Sequence, residues 1–125
     1  MNVLEYFKPV TTFIFDVDGV LTDGTVLVMD GGLQARRMNI KDGFALQMAV
    51  TKGYRVVIVS GGHSPQSADR LLRLGITEVN MSVADKRSFI SKYIADNKLK
   101  KEEVLYMADD LPDLPVMSIV GLPCC

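Results

Sequence analysis

Thr11-Thr12-Phe13-Ile14-Phe15-Asp16-Val17-Asp18-Gly19-Val20-Leu21-Thr22 is the stretch on which the reading of the chain turns. Residues 11–17 have the length of a strand, and the unbroken apolar run 13–15 marks one buried on both faces. The run gives out into two carboxylates two positions apart and a glycine, Asp16, Asp18 and Gly19. In an open α/β sheet the carboxyl ends of the strands are where ligands collect, so chemistry is expected at this end.

Working outward, residues 25–29 and 33–38 flank Asp30, Gly31 and Gly32, which predicts a β-hairpin inserted after the first strand. A helix is expected over 42–52, with Phe44, Leu46, Met48 and Ala49 supplying its apolar faces and Gly53 stopping it. Residues 54–60 read as a second buried strand, followed by a helix with Pro65 in its first turn and Gly75 past its end. The rhythm continues with a strand over 76–81, a helix over 85–97 burying Phe89, Ile90, Tyr93 and Ile94, and a strand over 104–108. A last helix is expected over 114–120. Strands alternating with helices give an α/β class: a doubly wound parallel sheet covered on both faces, within one domain spanning residues 1–125.

Four groups of residues fall at predicted strand ends. Asp16 and Asp18 form the first. A phosphate ester is poorly reactive, and a fixed carboxylate that attacks it, with a second carboxylate moving protons, divides its hydrolysis into two easier steps. An EF-hand needs Gly at the sixth position and Glu at the twelfth, but counted from Asp16 these are Leu21 and Leu27. Ser60 with Gly61 and Gly62 forms the second group, where a hydroxyl and main-chain amides before a helix can hold phosphate oxygens. The third is Lys86, a cation near a helix start, and the fourth is Asp109, Asp110 and Asp113, oxygen donors of the kind that suit Mg²⁺. Each has an ordinary reading alone: an acidic turn, a strand-to-helix turn, a solvated lysine beside a helix-capping Asp85, an acidic loop. Independent turns, however, have no reason to gather at the same sheet edge.

In this order, Asp16-x-Asp18-Gly19-x-x-Thr22, Ser60, Lys86 and Asp109-Asp110 resemble the four motifs of the haloacid dehalogenase superfamily. The texture of residues 42–45, 60–62 and 109–117 is similar to its small capless 3-deoxy-D-manno-octulosonate 8-phosphate (KDO 8-P) phosphatases, and the resemblance runs from Phe13 to Leu122. It implies a Rossmann-like core with no cap domain, and an Mg²⁺-dependent phosphatase acting in lipopolysaccharide biosynthesis through a phosphoaspartate. It makes Asp16 the nucleophile and Asp18 the acid–base residue. Ser60, Gly61 and Lys86 then hold the phosphate, Asp16, the Asp18 carbonyl and Asp109 hold the metal, and Asp110 and Asp113 stand behind them. The substrate it implies is a small phosphorylated sugar acid, an eight-carbon or a nine-carbon ulosonate phosphate. It also implies a homotetramer whose hairpins meet at the centre, which accords with the apolar Val26, Val28 and Leu33 on an element too short to bury them. Two features depart from the family: Ala108 stands where glycine is usual, and the chain ends at Cys125 where relatives continue into a helix and a glycine-rich tail. The second leads us to expect a partial chain.

Composition removes other classes. Fourteen basic and fifteen acidic residues give a net charge of −1 without a basic block, so no nucleic-acid partner is expected. The apolar runs fall short of the ~20 residues a membrane span needs, and the first ten residues, carrying Glu5 and Lys8, do not resemble a secretory signal. Cys124 and Cys125, adjacent, make no disulfide framework, and a cytoplasmic protein is expected. A phospho-receiver domain would place its lysine last, whereas Lys86 precedes Asp109. A non-catalytic assembly subunit is the remaining rival. His63 is expected to be exposed or to cap a helix, and Arg36 and Arg37 to be surface charge, although paired arginine donors could meet a sugar-acid carboxylate.

Overall fold

The computed structural model of the 125-residue chain describes residues 2–109 and 114–125. Its centre is a parallel sheet of five strands: β1 (Thr12–Phe15), β4 (Arg55–Val59), β5 (Glu78–Asn80), β6 (Val104–Met107) and β7 (Leu122–Cys124), in the order β5-β4-β1-β6-β7. The strand carrying Phe13, Ile14 and Phe15 is the central one, paired with β4 through Ile14↔Val57 and with β6 through Ile14↔Tyr106. Alternate residues of β4 serve the two faces, as the period of a strand requires. Val57 and Val59 join Ile14, Ile90 of α3 (Lys86–Asp96) and Val116 of α4 (Leu114–Met117) on one side. Val56 and Ile58 join Leu46 of α1 (Ile40–Thr51) and Leu71 of α2 (Pro65–Arg73) on the other. The doubly wound α/β reading therefore holds, and no helix among the described residues is long and apolar enough to cross a membrane.

Local signals account for most helix limits. Asn39 Oδ1 accepts from the Lys41 and Asp42 amides, so α1 starts at Ile40, ahead of the expected residue 42. Ser64 and Asp85 cap α2 and α3 in the same way, and Gly53 and Gly75 take positive φ just past α1 and α2. Burial on α1 differs from the expectation. Leu46 is buried, whereas Phe44 is 64% and Met48 41% exposed, and with Ile40 they form an i, i+4, i+8 apolar stripe facing outward. Periodicity locates such a stripe but does not say which side of it the sheet occupies.

The hairpin is present but short: β2 (Leu27–Val28) pairs antiparallel with β3 (Gln34–Ala35) around the turn Asp30–Gly32, and a lone bridge, Thr22↔Met38, ties its base. The C-terminal segment differs more. The expected helix over 114–120 ends at Met117, and Leu122–Cys124 adds a fifth parallel strand with Pro123 on the sheet's edge. Gly121 permits this course, because a Cβ there would lie 2.5 Å from the Lys101 carbonyl oxygen. The Cys124 carbonyl accepts from the Ala108 amide at 3.0 Å, so this strand steadies the end of β6, one residue before Asp109.

Thr12 faces the core of β1, fully buried, and its Oγ1 has no hydrogen-bond partner among the described residues. An unsatisfied buried hydroxyl costs about 1–3 kcal/mol. Thr12→Val should therefore raise stability by roughly 1 kcal/mol, seen as a higher urea midpoint at an unchanged m-value.

Candidate active site

The turn after β1 is held by its own main chain. The Leu21 and Thr22 amides donate to the Val17 carbonyl at 2.9 and 3.1 Å, and Thr22 Oγ1 accepts from the Gly19 and Gly24 amides, both at 3.2 Å. Gly19 has φ +79°, and a Cβ on it would overlap Asp109 Oδ2. The glycine thus lets the carboxylate from the end of β6 lie against the turn that carries Asp16 and Asp18.

Asp16 is buried, 7% exposed. Its Oδ1 accepts from the Val17 amide at 2.8 Å and stands 3.3 Å from Lys86 Nζ, which reaches across from the first residue of α3. The cap beneath that lysine, Asp85, has its carboxyl held below the usual range chiefly by the Ser88 amide and then by the Ser88 hydroxyl, although it lies in solvent. It therefore stays charged at the helix N-terminus through neutral pH. Ser60, 3% exposed at the end of β4, accepts on Oγ from the Gly62 amide at 3.2 Å. Its turn is laced to the one after β5, the Val83 amide donating to the Ser60 carbonyl and the Ser82 amide to the Gly62 carbonyl. Asp16, Asp18, Ser60, Gly61, Lys86 and Asp109 all line one open pocket of about 500 Å³. Three carboxylates, one ammonium, a hydroxyl and main-chain amides converging there suit an anion that arrives with a hard cation.

No family model matches the chain. Among curated proteins, the KDO 8-P phosphatase of Escherichia coli is 33% identical over 121 residues, covering 97% of this chain and 64% of that protein. Among solved structures, a Pseudomonas syringae protein described as a probable YrbI-family phosphatase superposes with a TM-score of 0.90 at 37% identity, over 95% of this chain and 68% of that one. The chain belongs to the haloacid dehalogenase superfamily, in its KDO 8-P phosphatase family. A member of the same phosphatase family from Moraxella catarrhalis, solved with a magnesium ion, a phosphate ion and KDO, matches with a TM-score of 0.88 at 27% identity, over 96% of this chain and 71% of that one. The chain spans under two thirds of the length of the curated KDO 8-P phosphatases it matches.

The residues that carry the family's motifs are thus brought together from the ends of β1, β4 and β6 and the start of α3. Asp110 and Asp113 lie outside the described residues. His63 is exposed, its Nδ1 3.3 Å from Ser82 Oγ, and Arg37 is exposed on the hairpin side. Arg36 corrects the sequence reading. Far from being surface charge, its side chain is 8% exposed and its Nε donates to Asp18 Oδ1 at 2.7 Å. The partners are 18 residues apart, and no local pattern links them, since the contact exists only once the hairpin folds back. Ala108 is 1% exposed within the core, and its amide keeps a strand bond, so the methyl is accommodated by packing.

Gly19→Ala should lower stability by at least about 1–2 kcal/mol, the cost of left-handed backbone with a Cβ, and should displace Asp109. Thermal unfolding reads the first effect.

Proposed function

We propose that the chain is an Mg²⁺-dependent phosphomonoesterase that hydrolyses a sugar-acid phosphate, KDO 8-P before a nine-carbon ulosonate 9-phosphate, through a phosphoaspartate on Asp16. The observation that carries this is the buried Asp16 carboxylate with Lys86 Nζ at 3.3 Å and Asp18 two residues on, all lining one pocket. Asp16 attacks phosphorus while the bond to the departing alcohol oxygen breaks, and Asp18 gives that oxygen its proton. Water then attacks phosphorus, Asp18 takes back a proton, and the Asp16–phosphorus bond breaks. The sum is ester plus water to alcohol plus inorganic phosphate. Lys86, the Ser60 hydroxyl and the Gly61 amide offset the charge on the phosphoryl oxygens.

The donor set fits Mg²⁺. The available donors are oxygens, and Gly19 lets Asp109 Oδ2 reach the Asp16–Asp18 turn. Among the described residues no three His, Cys, Asp or Glu side chains form a metal-holding group. The proposed set is the one the family's motifs imply: two side-chain carboxylates, Asp16 and Asp109, with the Asp18 main-chain carbonyl. Bound there, the ion would offset the repulsion between an anionic nucleophile and an anionic ester. The magnesium and phosphate named for the Moraxella catarrhalis relative support this choice. We place the enzyme in the cytoplasm, a reading that the adjacent pair Cys124 and Cys125, which makes no disulfide framework, supports. Asp16→Asn should abolish phosphate release from KDO 8-P in Mg²⁺ with the thermal midpoint nearly unchanged, because the amide keeps the shape and loses the nucleophile. Near-normal turnover in that variant would rule out the covalent route.

The hairpin supports a homotetramer. Val26, Leu27, Val28 and Leu33 are 43%, 65%, 70% and 43% exposed on a two-stranded element that is marginal alone. Light scattering at micromolar concentration should give the mass of four chains. Replacing Val26 and Val28 by Asp should dissociate them by burying unpaired charge, and a tetramer surviving both changes would place the interface elsewhere.

A further inference from the structure

The pairing of Arg36 with Asp18 has a direction. Arg36 does not line the pocket that holds Asp16, Ser60 and Lys86; it lines two others, one with Ser67 and Arg70 and one with Asp23 and Thr25. Its guanidinium reaches Asp18 from the hairpin's outgoing end, and its Nη2 also lies near the turn after β4, 3.9 Å from where a Cβ on Gly62 would stand. The two oxygens of Asp18 are accordingly unlike. Oδ1 accepts from Arg36 Nε at 2.7 Å. Oδ2 is the oxygen beside the turn after β4: a Cβ on Gly62 would stand 3.4 Å from it and 3.6 Å from Ser60 Oγ.

From this geometry we propose that Arg36 is a positioning residue for Asp18: by holding Oδ1, it fixes the carboxyl plane and presents Oδ2 to the oxygen of the departing alcohol. The proposal rests on the reading of Asp18 as the acid–base residue. A carboxylate on its own turns almost freely about its last torsion. A guanidinium is planar and donates only, so the oxygen it holds acts as an acceptor and the proton meant for the leaving group resides on the other one. Arg36 is nearly buried, 8% exposed against 42% for Asp18, so the pair is fixed from the arginine side. The arginine comes directly after β3, so the hairpin supplies a part of the acid–base apparatus that the core sheet lacks.

Leaving-group dependence tests this. The p-nitrophenolate leaves well unprotonated, whereas the alkoxide of KDO 8-P needs a proton, and kcat/KM reports only the steps up to formation of the phosphoenzyme. Arg36→Met should lower kcat/KM on KDO 8-P on the order of 10²-fold, as misplacement of a general acid does. On p-nitrophenyl phosphate the change should stay within about threefold. In an Asp18→Asn background the same substitution should cause no further loss on KDO 8-P. Equal losses on the two esters, or an additional loss in the Asp18→Asn background, would make Arg36 merely structural and overturn the proposal. Arg36→Gln carries the same comparison should Arg36→Met fail to fold. Asp16→Asn is run alongside: activity there overturns the phosphoaspartate reading itself, while an inactive control leaves the leaving-group comparison to judge Arg36 alone.

Discussion

The ion pair between Lys86 and Asp16 is the constraint around which the structure is arranged. Its partners are 13% and 9% exposed, and a pair so far out of water is favourable only where further hydrogen bonds satisfy its oxygens. Here the Val17 amide supplies one such bond to Asp16, and the turn that carries it is closed by the Val17 carbonyl and Thr22 Oγ1. The lysine comes within 3.3 Å of Asp16 in a sheet that has β4 and β5 on one side of β1 and β6 on the other. The apolar strand residues and the geometry of the pocket are in this sense one requirement. Ile14, Val57 and Tyr106, all fully buried, hold three strand ends in register, and Asp16, Ser60 and Asp109 emerge from those ends.

Glycine and threonine do the fine positioning. At Gly19 the missing Cβ leaves space that the Asp109 carboxylate fills, so β1 and β6 can present oxygens to the same point. Thr22 ties the outgoing chain back to Gly19 and Gly24 through one hydroxyl. On the other side of β6 from β1 the logic is structural: β7 pairs Leu122 with Leu105 and Cys124 with Met107, extending the sheet beside the strand that delivers Asp109. The three residues of β7 thus brace the strand before Asp109 through backbone alone.

The hairpin and α1 belong to a different regime. Leu27 and Val28 on the hairpin are 65% and 70% exposed, and Ile40 and Phe44 on α1 are 77% and 64% exposed. Arg36 connects the hairpin to the pocket, since it sits at the hairpin's outgoing end and donates to Asp18.

What the sequence determined by itself was the α/β class, the strand ends and the residues placed there, because buried strands and helix limits are written in local patterns: the run 13–15, Pro65 in a first turn, Gly53 and Gly75 as stops. Asp16, Asp18, Ser60, Lys86 and Asp109 were legible for the same reason, each lying where a strand gives way to a turn or a helix begins. The tertiary structure alone decided which face of α1 turns inward, that Leu122–Cys124 pairs as a strand, and that Arg36 leaves the surface for Asp18. These three depend on partners distant along the chain. A helical stripe does not reveal what it packs against, a three-residue edge strand exists only by virtue of its neighbour, and an arginine's long side chain takes its meaning from the carboxylate that folding brings within 2.7 Å.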